Sequence, residues 1–406
     1  MTTHTSKKTP CAACGTSPVN HPLFYFGSAL ESTIEKTMKF LFGWIRISRE
    51  GTIANTITAG LIGCFRIVGL ARFDTDSEKA ISGRSKLIWE EATRRGIPVQ
   101  QIVMFGKHLE QYRAKIGSSW IYFQSIPIPF WLPQDGYEWM DDKFSLGSHL
   151  EKAGIKTPKV MHGWSWFKIH RAFADFKKPV IIKPRSGSRG RHTTTNIHTE
   201  AELRSAYKLA RMIAPELVME EHLYGSVYRA TVVAGKLVGF FRADPPQITG
   251  DGKQTIKELI EEKNAKKNSD PLKKEKLGDI AINEDLISFI SRLGYTLESI
   301  PPQDLTLDLS AKTGRLYGGY TREMLDEVHP KMHEIFAKAG VAIQAPIVGF
   351  DLIIERPTED PDTQTWGIIE ANSLPFIDLH YFALEGTPNN IAIPIWDTWQ
   401  DHFKVQ

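Results

Sequence analysis

Two segments near the C-terminal end alternate apolar and polar residues with a period of two, which predicts two strands. Alternate residues of Val348–Ile354 are apolar, so the side chain of Asp351 faces away from the buried side. Trp366–Asn372 follows after a polar loop and places Glu370 and Asn372 together on one face. The pattern therefore predicts that two late strands carry three oxygen-bearing side chains.

Shorter stretches rich in β-branched and aromatic residues predict further strands, and the turn pair Ala234-Gly235 predicts a hairpin between two of them. These strands are Phe65–Phe73, Trp120–Ile126, Val180–Lys183, Thr193–Ile197, Leu217–Glu221, Val227–Val233 and Leu237–Arg242. Apolar residues three and four positions apart, with capping residues, predict helices. These helices cover Ser82–Arg95, the segment from Asp141 to Gly154, the segment after the cap residue Thr199, Gln254–Lys263, Asn283–Leu293 and Pro330–Ala339. The elements together predict an α+β fold.

The composition excludes some classes of protein. The net charge of this 406-residue chain is +3. A nucleic-acid-binding protein usually has a stronger basic excess or a recognisable module, so no nucleic-acid partner is expected. The three cysteines exclude a disulfide framework, and the motif Cys11-Ala-Ala-Cys14 lacks the second pair that a structural zinc site needs. A mobile tail in a reducing compartment is favoured over a zinc site.

The most apolar early stretch, Ile53–Leu70, is interrupted by Asn55, Thr58 and Arg66. It is shorter than the ~20 apolar residues that a membrane-spanning helix needs. We expect a packed helix or a homo-oligomer interface there, with no membrane partner. No signal-peptide pattern opens the chain, so a cytoplasmic location is expected.

A lysine and a Gly/Ser/Arg loop form the first candidate site. Lys183 ends a predicted strand on the face opposite its apolar residues, directly before Arg185–Arg191. A lysine in this position neutralises phosphate charge, and glycines allow backbone N–H groups to close over phosphates. The alternative is a surface lysine beside an ordinary surface loop.

Two arginines on the predicted hairpin, Arg229 and Arg242, would suit a developing anion during catalysis.

The second candidate site is the polar face of the two late strands. Carboxylate and amide oxygens suit hard divalent cations such as Mg²⁺, whose remaining ligands are phosphate oxygens and water. Asp351, Glu370 and Asn372 are therefore predicted metal ligands. The alternative is a strand end with solvated acids.

Several ordered motifs resemble the ATP-grasp ligases, and most closely the ATP-grasp module of cyanophycin synthetases and bifunctional glutathione synthetases. The similarity runs roughly from Asp141 to Ile393. Its most specific matches are Thr249–Ile260, Ser299–Pro302, Asp326–Pro330 and Ile369–Asn372.

The resemblance implies an ATP-grasp fold, with two α+β lobes clasping ATP after an N-terminal α/β domain. We expect a disordered tail over residues 1–22, the N-terminal domain and linker over 23–140, a lobe with the phosphate loop over 141–224 and a lobe with the metal site over 225–406.

The resemblance also implies roles for single residues. Lys143 and Lys183 correspond to the two phosphate-contacting lysines, and Arg242 to the arginine that steadies the transferring phosphoryl group. The hinge around Glu220, with Glu221 and Leu223, corresponds to the segment that reads adenine. The mobile loop over the phosphates corresponds to Ser186, Gly187, Ser188, Gly190 and Arg191. Asp351, Glu370 and Asn372 match the magnesium ligands, and Mn²⁺ is an alternative metal.

The sequence departs from the family at three places. Val227 stands where the family has an acidic residue for the ribose, and Glu221 is a candidate substitute. Asp308 replaces an Arg-Asn pattern, and Ser373–Asp378 replaces an Ala-Pro-Gly after the metal-ligand asparagine. The last two changes lie near the expected acceptor site, so a different substrate is expected.

These expectations combine into one leading function. It is an ATP- and Mg²⁺-dependent ligase that joins a small-molecule carboxylate to an amine or thiol through an acyl-phosphate, with amino acids or small peptides as substrates. Two alternatives remain open: an ATP-grasp small-molecule kinase, and a nucleotide-binding regulatory protein without catalysis.

Overall fold

The computed structural model describes residues 19–27, 29, 52–185, 192–269, 277–310 and 313–404. Cys11, Cys14 and the predicted phosphate loop Ser186–Arg191 lie outside these residues. Residues 21–27 form a helix, which begins inside the segment that was expected to be disordered.

Helices and strands alternate irregularly along the chain. The helices are α1 Thr52–Ile67, α2 Gly83–Arg94, α3 Lys143–Lys152, α4 Trp166–Phe173, α5 Glu200–Arg211, α6 Ile256–Ser269, α7 Glu284–Arg292, α8 Pro330–Ile343, α9 Asp378–Tyr381 and α10 Ala392–Lys404. The strands are β1 Ala71–Asp74, β2 Val99–Met104, β3 Lys107–Ile116, β4 Ser119–Gln124, β5 Val160–Gly163, β6 Val180–Pro184, β7 Thr194–Ile197, β8 Leu217–Glu221, β9 Ser226–Val233, β10 Lys236–Ala243, β11 Gln247–Thr249, β12 Thr306–Asp308, β13 Thr321–Glu323, β14 Ile347–Ile354 and β15 Gly367–Asn372.

The N-terminal sheet is an antiparallel meander in the order β1-β2-β3-β4. The predicted strand Phe65–Phe73 is wrong, because α1 continues to Ile67 and the strand begins only at Ala71. Gly69 has a φ of 73° and ends the helix, and the Leu70 N–H donates to the Phe65 carbonyl at 2.8 Å. This glycine-terminated helix end cannot be distinguished from an apolar strand by periodicity alone.

The first lobe of the predicted pair is a four-stranded antiparallel sheet in the order β5-β8-β6-β7. Helices α4 and α5 pack on it around a core that includes Ile169, Ile182 and Leu203. The predicted cap residue Thr199 is confirmed at the start of α5. It forms a capping box with Glu202, because each of the two side chains accepts the other residue's backbone N–H. Lys183 therefore lies on a central strand of a well-packed sheet.

The second lobe is built on a five-stranded antiparallel sheet in the order β13-β10-β9-β14-β15. The predicted hairpin between β9 and β10 is confirmed, and both Ala234 and Gly235 have the positive φ that such a two-residue turn requires. Helix α8 covers one face, where Phe336 packs among buried residues such as Phe240 and Phe350. Asp351, Glu370 and Asn372 lie on the opposite face of β14 and β15.

The N-terminal sheet is not separated from the second lobe by solvent. One core cluster joins Leu87 and Ile88 of α2 to Ile347 of β14 and to Trp396 and Trp399 of α10. The division of the chain at residues 140 and 224 stays a prediction. Within the part of the chain described, no helix is both long and apolar enough to span a membrane.

The aromatic-rich linker Tyr122–Trp139 contacts the C-terminal helix α10. Trp131 stacks on His402 with ring centroids 3.8 Å apart, and the Trp399 indole N–H donates to the Pro127 carbonyl at 3.0 Å. Further along, the Tyr137 hydroxyl donates to the Ile347 carbonyl at 2.7 Å. These contacts hold the linker on the second lobe.

Candidate functional site

The two late strands pair in the register that brings their polar side chains together. Asp351 lies opposite Glu370, and Gly349 lies opposite Asn372, with a bulge after Asp351. Ala371 is buried on the other face. Directly paired residues in an antiparallel sheet have side chains on the same face. The predicted polar face of β14 and β15 is therefore present.

A buried arginine reaches this face from the neighbouring strand β9. The Arg229 guanidinium donates through Nε to Asp351 Oδ1 at 2.6 Å and through Nη2 to Asp351 Oδ2 at 2.8 Å. This is a bidentate ion pair, the strong form of arginine–carboxylate contact. Although burial opposes the charge, Asp351 and its hydrogen bonds raise the pKa of Arg229, so it stays positive.

Lys183 lies on the first lobe beside a buried carboxylate. Its Nζ lies 2.5 Å from Glu220 Oε2, and only 12% of the Lys183 side chain and 5% of the Glu220 side chain are exposed. Burial lowers the pKa of Lys183, Glu220 counteracts this shift, and the like charge of Lys143 adds to it. Glu370 also raises the pKa of Lys183, so the metal-side carboxylate and this lysine share one electrostatic environment.

Lys143 lies close to a carboxylate of the late strand pair. Its Nζ lies 3.8 Å from Glu370 Oε1. Lys143 is the first residue of α3, and its position follows from Asp142, whose side chain accepts the Phe144 N–H at 3.2 Å as the N-cap. Both predicted phosphate lysines therefore face the acidic strand ends.

Arg185 holds the start of the predicted phosphate loop. Its guanidinium donates to Asp142 Oδ2 at 2.5 Å and to Glu216 Oε2 at 2.6 Å. Burial raises the pKa of Asp142, but the hydrogen bonds and positive charge of Arg185 outweigh it and leave the pKa lowered. This ion pair ties the residue before the loop to the helix that carries Lys143.

The donor set fits a hard divalent cation. The Asn372 amide nitrogen donates to Asp351 Oδ2 at 3.3 Å and to the Gly349 carbonyl at 3.4 Å. The amide oxygen of Asn372 makes neither of these contacts and can therefore serve as a metal ligand. Glu370 keeps an exposed carboxylate. No group of three or more His, Cys, Asp or Glu side chains suited to a metal occurs among the residues described. Two carboxylates and an amide match Mg²⁺ if nucleotide phosphates complete the shell.

The other predicted site residues make local contacts of their own. Arg242 pairs in register with Tyr228 and is bound to Asp244 at 2.7 Å, so it belongs to the sheet face opposite Arg229. Glu221 accepts the Lys177 N–H at 3.3 Å, and Leu223 is buried after the end of β8. The predicted roles of these residues stay predictions.

Sequence reasoning missed two contributors to the site. Arg185 was treated only as part of the loop, although its place between a strand and a glycine-rich segment suggested an anchor. Gly349 gave no signal beyond being a glycine within a strand, a position that often marks a close approach.

The two lobes, the hairpin and the late strand pair define an ATP-grasp fold. A solved structure, the bifunctional glutathione synthetase from Pasteurella multocida, superposes with a TM-score of 0.56 and 23% identity, over 79% of this chain and 44% of that one. This likeness shows the fold. The α+β ATP-grasp prediction is therefore confirmed.

Sequence comparison adds named relatives. The chain is 32% identical over 266 residues to cyanophycin synthetase from Synechocystis sp., covering 64% of this chain and 30% of that protein. It is 30% identical over 268 residues to the glutathione biosynthesis bifunctional protein GshAB from Mannheimia succiniciproducens, covering 63% of this chain and 35% of that protein. No family model matches. The chain has the ATP-grasp fold and is similar in sequence to these two ligases, and it spans about a third of their length.

Proposed function

We propose that this chain is an ATP- and Mg²⁺-dependent ligase that joins a small-molecule carboxylate to an amine or thiol. The observation that carries the proposal is the convergence of Lys183 and Lys143 with Asp351, Glu370 and Asn372. Lys183 of the first lobe and Lys143 at the start of α3 would neutralise phosphate charge, and the three oxygen ligands on the second lobe lie near these lysines. This arrangement suits phosphoryl transfer, in which positioning and charge neutralisation supply most of the catalysis.

The reaction would run in two steps. A carboxylate oxygen of the first substrate attacks the γ-phosphorus of ATP, which breaks the bond to the β,γ-bridging oxygen and releases ADP. The amine or thiol then attacks the acyl carbon, losing its proton to solvent, and inorganic phosphate leaves.

The residues of the chain have distinct parts in this scheme. Lys183 and Lys143 hold the phosphates, and Glu220 opposes the lowering of the Lys183 pKa by burial. Asp351, Glu370 and Asn372 would hold Mg²⁺, which supplies charge neutralisation at the phosphates. Arg229 fixes the orientation of Asp351 through its bidentate contact. The carboxylate can rotate only if this contact is broken.

Glu221 is proposed to hold the ribose in place of the acidic residue that Val227 replaces. The Glu221 carboxylate accepts one backbone N–H through Oε1, so Oε2 can accept a hydrogen bond from a sugar hydroxyl. This assignment concerns nucleotide selectivity and does not change the reaction.

The test is a product assay on the full chain with ATP, Mg²⁺ and a matrix of amino acids and dipeptides as co-substrates. We expect the wild type to release ADP and inorganic phosphate in equal amounts when both co-substrates are present. Lys183→Ala and Glu370→Ala should abolish ADP release while retaining a cooperative thermal unfolding transition. Lys236→Ala, which removes an exposed lysine at the hairpin turn, is the matched control and should retain activity.

The same assay separates the alternatives. A small-molecule kinase would release ADP and a phosphorylated product without inorganic phosphate. A regulatory protein would bind ATP, as judged by calorimetry, without releasing ADP under any condition of the matrix. Either result would overturn the ligase assignment.

A further inference from the structure

The segment that follows Asn372 runs across the metal face of the sheet. A Cβ atom on Gly349 would lie 2.9 Å from the Cβ of Pro375, so Pro375 packs directly over β14. Gly349 shares this face with Asp351, two residues further along the strand. Residues 373–378 therefore border the place where the reacting groups would meet.

The N-terminal part of the chain reaches this segment through Arg84, near the start of α2. The Arg84 guanidinium donates through Nη1 to the Leu374 carbonyl and lies 4.8 Å from the ring centroid of Phe376, a cation–π contact. The Phe376 side chain is 52% exposed. Arg84 Nε is buried and has no hydrogen-bond partner within the described chain. An arginine has five N–H donors, so Arg84 retains capacity for an anionic ligand.

Asp378 stands beside Arg84 with the opposite charge. Its carboxylate packs against Gly83 so closely that a Cβ there would lie 2.7 Å from Asp378 Oδ2. Asp378 Oδ1 is buried and likewise makes no hydrogen bond to any residue that the structure describes. A buried carboxylate oxygen without a donor is costly, and burial raises the pKa of Asp378. A cationic ligand group at this carboxylate would offset both effects.

The position of Asp378 is fixed by its own short helix. His380, two residues further on, is fully buried; its Nδ1 lies 2.6 Å from Glu323 Oε2 and its Nε2 lies 2.7 Å from Thr231 Oγ1. Gly239 makes room for this imidazole, because a Cβ there would lie 2.6 Å from His380 Cε1. A subsite that includes Asp378 is thus held by the central strands of the second lobe.

We propose that Arg84 and Asp378 form a subsite for a zwitterionic α-amino acid or the end of a small peptide, with the ligand carboxylate on Arg84, its ammonium group on Asp378 and its side chain over Phe376. The place of this ligand as a substrate rests on the ligase function proposed above, but its binding does not. A ligand that lacks either charge leaves one buried group without a partner, which is the basis of discrimination. The N-terminal part is assigned the role of completing the acceptor side of the cleft.

The test measures binding without ATP, so that it does not depend on turnover. The melting temperature of the full chain is recorded with each of the twenty L-α-amino acids and with glycylglycine. Each ligand that stabilises the protein is then compared with its des-amino and decarboxylated analogues by calorimetry. At least one zwitterion should bind, and both of its analogues should bind about tenfold more weakly or worse.

Arg84→Lys and Asp378→Asn are the test variants, chosen because they are close in size to the native residues. Each should weaken binding of the zwitterion about tenfold or more and leave the shift produced by a non-hydrolysable ATP analogue with Mg²⁺ unchanged. Lys86→Ala, on the same helix and paired with exposed Glu78, is the control and should bind the zwitterion normally.

The outcomes separate this subsite from the ligase assignment. Zwitterion binding that depends on Arg84 and Asp378, in a protein that never releases ADP, would support the subsite and overturn the ligase. If both variants retain amino-acid-dependent ADP release with an unchanged KM for the amino acid, the ligase assignment is supported and the subsite is overturned. The subsite is also wrong if no zwitterion among those tested binds the wild type.

Discussion

Gly349 makes room for Arg229. A Cβ atom on Gly349 would lie 3.0 Å from Arg229 Cδ and 2.9 Å from the Pro375 Cβ, closer than carbon atoms normally approach. The arginine therefore crosses over the backbone of β14 at the one position without a side chain and forms its fork with Asp351. The orientation of a predicted metal ligand thus depends on a glycine two residues before it.

This relationship predicts the effect of Gly349→Ala. The new methyl group cannot move Pro375 easily, so Arg229 must shift and the bidentate contact must loosen. We expect a loss of Mg²⁺-dependent ADP release of about tenfold or more, because misplaced ligands lose catalytic positioning. Steady-state kinetics over a Mg²⁺ titration measure it. Gly60→Ala, in α1 with no atom within 4 Å of the added methyl, is the control. Equal activity of the two variants would contradict the role given to Gly349.

Glu220→Gln is expected to change how phosphate binding depends on pH. Burial lowers the pKa of Lys183 and Glu220 raises it, so removing the carboxylate lowers this pKa further. Lysine binds phosphate only when charged, so affinity should begin to fall at a lower pH in the variant than in the wild type. Calorimetry with Mg²⁺ and inorganic tripolyphosphate between pH 7 and 10 tests this without any adenine contact. Glu359→Gln is the exposed control, and identical pH profiles for Glu220→Gln and wild type would refute the coupling.

Two substitutions at Asp142 distinguish its role as the N-cap of α3 from its ion pair with Arg185. Asp142→Asn keeps a good N-cap for α3 and loses the ion pair with Arg185, whereas Asp142→Ala loses both. The alanine variant should be less stable than the asparagine variant by about 1 kcal/mol in urea unfolding. Both should raise the KM for ATP, because Lys143 and the start of the loop depend on this residue.

Ser165→Ala is the matched control for that comparison. Ser165 caps α4 in the same lobe by accepting the Lys168 N–H at 3.3 Å. Its loss should cost a similar free energy of unfolding and leave the KM for ATP unchanged. A raised KM in this variant would show that the Asp142 effect reflects general loosening of the lobe.

The buried pair of Glu323 and His380 predicts acid sensitivity. Burial raises the pKa of Glu323, but the hydrogen bond from His380 outweighs it, so the folded-state pKa lies below the ordinary value of 4.5. A carboxylate with a lowered folded-state pKa stabilises the protein above its unfolded pKa, and this contribution is lost as pH falls through the folded pKa.

Glu323→Gln should therefore be less stable than wild type at pH 7, by about 2 kcal/mol for a buried charged hydrogen bond. The difference should shrink as the pH is lowered below 4.5. Urea unfolding at a series of pH values measures both quantities. Glu385→Gln, at an exposed position, is the control. A difference that is constant with pH would contradict this account.

The polar face of the late strands could be predicted because it depends on short-range order. Period-two alternation decides which face Asp351, Glu370 and Asn372 occupy, and the structure has all three on the predicted face. The hairpin turn at Ala234-Gly235 could be predicted for the same reason, since both turn residues are adjacent in the chain. The boundary of α1 could not, because an apolar run ended by Gly69 fits a helix as well as a strand.

The sequence by itself determined the late strands β14 and β15, the hairpin of β9 and β10, and the face of the late strands that carries the polar side chains. Only the tertiary structure decided that Arg229 reaches Asp351, 122 positions away, and that Arg84 reaches Leu374, 290 positions away. The physical reason is that alternation along a strand is a property of local backbone geometry, whereas the pairing of strands and the docking of helices depend on how distant apolar surfaces pack together.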